Sequence, residues 1–409
     1  MGFGLLGEKL GHSYSPLIYR YFGIQDYRLF EVPPAGVEAF LRGGGLTALN
    51  VTIPYKKTML PFCDSLTPIA RRLGNVNLLR FDEHGRIHGD NTDYAGFRGL
   101  LDCAGFSVRC KKVLVLGTGG AAQTVTAVLE EQGASCVIQI TRSGQENYTN
   151  LDHHRNARLL VNATPVGMYP DVDASPVSLE QFPALEGVID LVYNPLRTRL
   201  VLEAQTRGIP AVGGLFMLAA QGRAAAQVFL GRLIEEKESV GVYHALLREM
   251  ENIAIVGMPG SGKSTVGKIL AEEMGRPFVD LDDLITQTTG RSPEEIIKRD
   301  GEAAFRDIEC RILCQSAKRC GIVLSTGGGT VLRQENQKAL GMNSRVYWLR
   351  RPLEQLEIAG RPLSWNLSEM YLLRRPIYER VSNAVVDMGS STHEAAQQIM
   401  EEFDEHTRA

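Results

Sequence analysis

The stretch Gly257-Met258-Pro259-Gly260-Ser261-Gly262-Lys263-Ser264 most narrows what this chain can fold into: a glycine, four residues, then Gly-Lys-Ser. The pattern carries meaning only between a strand and a helix. Residues 253–256 form an apolar run that reads as a buried strand, and from Thr265 to Met274 apolar residues recur at helical spacing. In that setting glycines let backbone N–H groups turn toward phosphates, a lysine reaches the outer phosphates and a hydroxyl can ligate magnesium. Gly260, Ser261, Gly262, Lys263, Ser264 and Thr265 are therefore candidates for holding ATP, and Ser264 for Mg2+.

About 250 residues precede this loop in a chain of 409, so two or three domains are expected, each with its own core. A net charge of −3 argues against nucleic-acid binding, which calls for a strongly basic face, and points to small-molecule substrates. The seven cysteines include no C-x-x-C pair, and Cys310 and Cys314, one helical turn apart, read as a helix face. A basic region followed by a long apolar run is missing from the start, no apolar run reaches about 18 residues, and Leu6 stands where a myristoylation signal needs Ser or Thr. The expectation is a cytoplasmic protein in a reducing compartment, without a membrane span. Oligomeric state does not follow from these features.

The first hundred residues place polar turns at strand ends, where α/β sites lie. A short apolar strand runs into Ser13 and Ser15, with Pro16 in the first turn of a helix beginning near Ser15. Taken alone, these serines read as a helix N-cap. Residues 50–57 read as a strand broken by Pro54, residues 74–77 precede a strand pair, and residues 89–93 follow it in a turn. Singly, Lys56 is a solvated lysine, Asn77 a turn residue and Asp93 a helix cap.

The order H-S-x-S-P at 12–16, N-V-T-x-P-x-K at 50–56, Val76-Asn77 and G-D-N-T-D at 89–93 resembles shikimate dehydrogenase, with the spacing between motifs kept. The resemblance implies that Ser13 and Ser15 bind the substrate carboxylate with help from Tyr193. It also implies that Thr52, Lys56, Asn77, Asp93 and Gln221 hold the ring hydroxyls and the reacting oxygen. Lys56 and Asp93 make chemical sense as a pair. Hydride arriving at a ketone leaves an alkoxide, which an ammonium stabilises and can protonate, while the carboxylate orients the lysine.

Residues 112–116 form an apolar strand followed by Gly117-Thr118-Gly119-Gly120-Ala121-Ala122 and an apolar helix through Leu129, a dinucleotide-binding fingerprint in its proper context. Gly117, Gly119, Gly120 and Ala121 are the cofactor candidates. The next strand, 136–140, ends in Thr141-Arg142-Ser143, and an arginine there pairs with the 2′-phosphate of NADP, where an acid would select NAD. The family's usual Asn-Arg-Thr has lost its Asn. Residues 162–168 resemble the family's loop after a later strand and bring in Thr164. Residues 188–193 read as a strand ending at Tyr193, and a helix after Gly213-Gly214 carries Gln221 one turn in, with Met217 read as packing.

A last amphipathic helix covers 242–247, about five residues before the strand at Ile253. Beyond the phosphate loop, 277–279 reads as a strand ending in Asp280-Leu281-Asp282-Asp283, where carboxylates can hold magnesium. Ser292-Pro293-Glu294-Glu295 reads as a capping box, 322–325 as a strand into Thr326-Gly327-Gly328-Gly329, and Arg361, Arg374 and Arg375 follow. This series resembles shikimate kinase over most of 252–400. By that resemblance Asp282, Arg306, Gly328 and Arg374 bind shikimate, and the two arginines clamp its carboxylate. Lys263 and Arg361 would stabilise the transferring phosphoryl group, with Ser264 and Asp280 around magnesium. Lys56, Asp93, Lys263 and Asp282 are the catalytic candidates. The intervals 349–361 and 361–374 look shorter than the family's lid, which implies weaker ATP binding.

The expected architecture is α/β throughout: a substrate-binding domain at 1–100 closed by helices from about 215–250, a Rossmann NADP-binding domain at 101–214, and a P-loop kinase-like domain with a parallel sheet at 252–409. The two resemblances imply consecutive reactions, NADPH-dependent reduction of 3-dehydroshikimate to shikimate and its phosphorylation by ATP. Two alternatives stay open: an NAD-using quinate/shikimate dehydrogenase paralogue fused to the kinase, and a shikimate-sensing pseudoenzyme with a weak or silent kinase.

Overall fold

The computed structural model describes all residues except 1, 12, 357–366, 390 and 409. Arg361 and the short lid expected from the sequence lie outside the described residues. Among those described, no helix is long and apolar enough to cross a membrane.

The chain is α/β, with its strands in three sheets. The first contains β1 (Gly2–Gly7), β2 (Tyr27–Glu31), β3 (Leu46–Val51), β4 (Ser65–Leu66), β5 (Leu78–Phe81) and β6 (Ile87–Asp90), in the order β2-β1-β3-β5-β6-β4. β1 pairs in parallel with β2 and β3, whereas β5 runs antiparallel to β3 and β6. The second is all parallel: β7 (Lys112–Leu116), β8 (Cys136–Ile140), β9 (Leu159–Asn162), β10 (Gly187–Asp190) and β11 (Ala211–Val212), ordered β11-β10-β9-β7-β8. The third, also parallel, contains β12 (Asn252–Val256), β13 (Phe278–Asp280), β14 (Val323–Ser325), β15 (Ser344–Arg350) and β16 (Ala384–Asp387), ordered β13-β14-β12-β15-β16. The central strands β7 and β12 are near-continuous apolar runs because helices cover both faces of a parallel sheet.

These elements form two compact units, one made of Met1–Gly167, Ala174–Tyr193 and Glu203–Leu246, the other of Met168–Asp173, Asn194–Leu202 and Leu247–Ala409. In the first unit the helix Asp93–Ala104 packs closely against the helix Leu215–Leu230. Glycine makes this possible: a Cβ on Gly96 would lie 2.9 Å from the Met217 carbonyl oxygen and 3.0 Å from Gln221 Cβ. The contact draws Gln221 toward the start of the helix that opens with Asp93. Met217 is buried in the same core, as expected.

Local readings shift at three places. The strand expected at 188–193 ends at Asp190, whose carboxylate accepts from the Val192 N–H at 3.0 Å and turns the chain. Gly89 and Asp90, expected in a turn, are the last residues of β6, where they continue the antiparallel ladder with β5. The helix before β12 runs Lys237–Met250, so Glu251 alone separates it from β12, where about five residues are expected. In the second unit Glu251 is buried and accepts from Arg197 Nη1 at 2.9 Å, and its other oxygen pairs with His406 at 2.8 Å.

Candidate active sites

At the C-terminal ends of β1 and β3, a cavity of about 190 Å³ is lined by Ser13, Ser15, Thr52, Lys56, Asn77, Asp93, Tyr193 and Gln221, together with Asn50, Thr92 and apolar neighbours. All eight residues expected there from the sequence thus meet in one place. Lys56 Nζ lies 2.6 Å from Asp93 Oδ2, and Asn77 Nδ2 donates to Asp93 Oδ1 at 2.9 Å. Asn77 Oδ1 accepts from the Thr92 N–H at 2.7 Å. Both carboxylate oxygens of a buried aspartate are therefore held, at the first turn of a helix whose dipole favours the anion. Lys56, with a quarter of its side chain exposed, reaches the cavity from the loop after β3.

The bland readings of single residues give way here. Neither serine holds the cap position of the helix Ser15–Tyr21, which is Tyr14, although Ser13 Oγ accepts from the free Ser15 N–H at 3.2 Å. Asp93 does not cap its helix but is its first residue. Gln221 is the seventh residue of its helix, nearly two turns in, where one turn is expected; the helix starts at Leu215, directly after Gly214. Burial pushes the Tyr193 phenol above its ordinary value and keeps it a neutral donor.

In the same unit, Gly117 has φ +110°, and a Cβ there would sit 3.0 Å from Thr164 Cγ2, so Thr164 borders the glycine turn where the strand order reverses between β7 and β9. Thr164 is fixed by Asn162 Oδ1, which accepts from its hydroxyl at 2.6 Å and its N–H at 3.0 Å. A Cβ on Gly119 would meet no protein atom within 4 Å. Space is thus left outside the helix Gly120–Glu131, whose N-terminus has no side-chain cap, and a pyrophosphate fits that surface. Ala121 lies in the first turn of this helix, and Arg142 follows β8, exposed.

In the second unit, a cavity of about 700 Å³ is lined by Gly260, Gly262, Lys263, Ser264, Thr265, Asp280, Asp282, Arg306, Gly328 and Arg374 among others. Of the described residues expected there, Ser261 alone does not line it. Its buried hydroxyl has no partner among the described residues. The helix Lys263–Met274 starts behind Gly262 at φ +93° without a side-chain cap, so its first N–H groups suit phosphate oxygens. Lys263 Nζ donates to the carbonyl oxygens of Gly257 and Met258, at 3.1 and 2.8 Å. Ser264 Oγ lies 3.3 Å from Ser325 Oγ, and Asp280 caps the helix Leu281–Thr289 by accepting from the Asp282 N–H. A hydroxyl beside strand-end carboxylates is a hard-oxygen set that fits Mg2+ sharing its shell with phosphates and waters.

The glycines at 327–329 line this cavity, Gly328 among them as expected, and they also admit close protein neighbours. A Cβ on Gly328 would be 2.5 Å from Pro259 Cδ and one on Gly329 would be 2.3 Å from Arg306 Nη2. Gly329 thereby lets Arg306 lie against the loop. Sequence reasoning missed the group that holds Arg306. Glu309, fully buried, accepts from Arg306 Nη1 at 2.8 Å and from Thr330 Oγ1 at 2.7 Å. The signal was available as an Arg and a Glu three apart on one helix face. Burial lowers the pKa of Arg374, the Tyr378 ring opposes that shift and the Arg306 cation adds to it. Two cations gathered in one cavity form a receptor for an anion.

Known proteins resemble both parts of the chain. Residues 5–79 match the family model for the shikimate dehydrogenase substrate binding domain, and 259–404 match that for shikimate kinase. Shikimate dehydrogenase (NADP(+)) of Clostridium perfringens is 32% identical over 265 residues, spanning 60% of this chain and 97% of the relative. That of Methanopyrus kandleri is 38% identical over 263 residues, spanning 56% and 89%. Among solved structures, a chorismate mutase/shikimate 5-dehydrogenase fusion protein from Clostridium acetobutylicum is similar with a TM-score of 0.57 and 34% identity, over 60% of this chain and 96% of that one. Shikimate 5-dehydrogenase from Thermus thermophilus, solved with NADP(H) and shikimate, gives 0.55 and 33%, over 60% and 99%.

Proposed function

The chain belongs to the shikimate dehydrogenase family and carries a shikimate kinase domain behind it, and on that footing we propose how its residues divide two consecutive reactions. The first reduces 3-dehydroshikimate to shikimate, and the second phosphorylates the hydroxyl just formed. We assign residues 1–100 with the closing helices at about 215–250 to dehydrogenase substrate binding, 101–214 to NADP(H), and 252–409 to the kinase.

When bound, NADPH supplies a hydride, and ATP with Mg2+ supplies a phosphoryl group. Gly117, Gly119, Gly120, Ala121, Thr164 and Arg142 would hold NADP(H), with Arg142 on the 2′-phosphate. In the first cavity the Ser13, Ser15 and Tyr193 hydroxyls donate to the substrate carboxylate. Lys56 Nζ stabilises the charge developing on the reacting oxygen and delivers a proton to it. Asp93, held by Asn77, aims the lysine, and Thr52 and Gln221 position the ring. In the second cavity Arg306 and Arg374 grip the shikimate carboxylate, Asp282 accepts the proton of the attacking hydroxyl, and Lys263 neutralises charge on the transferring group. Ser264 and Asp280 would hold the metal.

The 2.6 Å contact of Lys56 with Asp93, inside a cavity lined by all the expected substrate residues, carries this reading. The test supplies the purified chain with 3-dehydroshikimate, NADPH, ATP and magnesium, and follows NADPH absorbance and ADP release together. Both should proceed, with ADP release abolished when NADPH is omitted. NADPH oxidation without ADP would refute the kinase half, and silence in both would refute the whole reading.

A further inference from the structure

Arg350 ends β15 and Arg351 follows it, and the two arginines differ in what they do. Arg350 is neutralised by Asp387, which takes its Nη2 at 2.7 Å and also pairs with its Nε. Arg351, the next residue, lines the kinase cavity, and its buried Nε has no partner. No hydrogen bond or ion pair to Arg351 exists among the described residues. An Nε–H that gives up water without gaining a protein acceptor is the less stable arrangement unless a ligand completes it.

Strand order says which ligand. The phosphate loop leaves β12, which lies between β14 and β15. On the β14 side stand Asp282, Arg306 and the glycines at 327–329, the proposed shikimate groups. On the other side the Leu349 carbonyl oxygen lies 2.5 Å from where a Cβ of Gly257 would be, and Met388 Cε lies 2.7 Å from that of Gly262. The ends of β15 and β16 therefore crowd the phosphate loop from the flank away from the acceptor. The γ-phosphoryl of ATP must face the acceptor, so the nucleoside extends toward β15 and β16, where Arg351 sits.

We propose, resting on the kinase reading above, that Arg351 is a further nucleotide-specificity residue, its guanidinium contacting the base and ribose of ATP. A planar cation suits this role, since it can lie on a purine face or donate to ribose oxygens. The fully buried carboxylate near the acceptor, Glu309, is already occupied by Arg306 and Thr330, which leaves Arg351 for the ligand.

The test uses the full chain and calorimetric binding of three probes, ADP, tripolyphosphate and shikimate, to the wild type, Arg351→Met and Arg351→Lys. Methionine keeps the apolar stem packed. Arg351→Met should weaken ADP about tenfold and Arg351→Lys severalfold, with tripolyphosphate and shikimate unchanged. The ATP KM should rise without a matching fall in kcat, while the unchanged binding of tripolyphosphate and shikimate reports that the kinase unit is intact. Equal loss of tripolyphosphate, loss of shikimate, or unchanged ADP would overturn the assignment. A wild type that binds no ADP would sink the kinase reading itself, which separates the two failures.

Discussion

Adding one methyl group at Gly329 should disable the kinase half while leaving the dehydrogenase half intact. An alanine Cβ would stand 2.3 Å from Arg306 Nη2, 2.7 Å from its Cζ and 2.8 Å from Nη1. Gly329 has φ −99°, so the backbone accepts alanine and the whole effect is steric. Contact distance for these atoms is about 3.5 Å, so the guanidinium must retreat by roughly 1 Å. That movement stretches the 2.8 Å bond to Glu309 and the 3.2 Å bond to Glu302, and it takes the guanidinium off the proposed shikimate carboxylate. One charged hydrogen bond is worth about 1.5–3 kcal/mol, so kcat/KM for shikimate in the ADP-release assay should fall about 10- to 150-fold. NADPH oxidation with 3-dehydroshikimate, measured on the same sample, should not change. A kcat/KM within about threefold of wild type would refute the argument, because it would mean either that Arg306 yields at no cost or that it does not hold the substrate.

Three further expectations concern Lys56, Arg142 and Glu251. Lys56→Ala should lower dehydrogenase turnover by about 10²- to 10⁴-fold with a much smaller change in KM, read by NADPH absorbance; an unchanged kcat would exclude Lys56 as the proton donor. Arg142→Ala should weaken NADP+ about tenfold and leave NAD+ unchanged, as measured by fluorescence titration, and equal effects on both cofactors would remove Arg142 from the 2′-phosphate. Glu251→Gln should cost about 3 kcal/mol, the low end for a broken buried pair, because Arg197 keeps 25% of its side chain exposed. Burial pushes the Glu251 pKa up, but the His406 hydrogen bond and the Arg197 charge outweigh it and hold the carboxyl below its ordinary value. The contribution is therefore complete above about pH 4.3 and disappears as pH falls through the lower folded value, so the gap in Tm between wild type and variant should close in acid.

What the sequence made legible was local chemistry with a fixed spacing. The phosphate loop, the dinucleotide turn and the capping box at Ser292 each need particular residue types within a few positions, and each is found in the element expected. The long-range meeting of Ser13, Lys56, Asp93, Tyr193 and Gln221 was legible through family resemblance alone, since nothing in their spacing says they share a cavity. Glu309 stayed hidden because a carboxylate inside a helix reads as a solvated face until burial is known. Arg351 stayed hidden because the reason to notice it is a missing partner, and sequence does not show pairing.

The two cavities also treat one carboxylate with different chemistry, and the difference sets a direction. In the first, the charged groups Lys56 and Asp93 are spent on each other, so the proposed anion receptor is made of neutral hydroxyls from Ser13, Ser15 and Tyr193. In the second, Arg306 and Arg374 are both buried, and Arg374 is held there at an electrostatic disadvantage that burial causes and Arg306 increases. An arriving carboxylate relieves that disadvantage, and to hydrogen bonds that neutral hydroxyls can also make to it the guanidinium groups add the attraction of opposite full charges. Shikimate is the product of one site and the substrate of the other, so the weaker neutral receptor releases what the stronger cationic one retains. A chain that makes and consumes the same compound is best served by that order, because a dehydrogenase site that gripped shikimate as firmly as the kinase would be slowed by its own product.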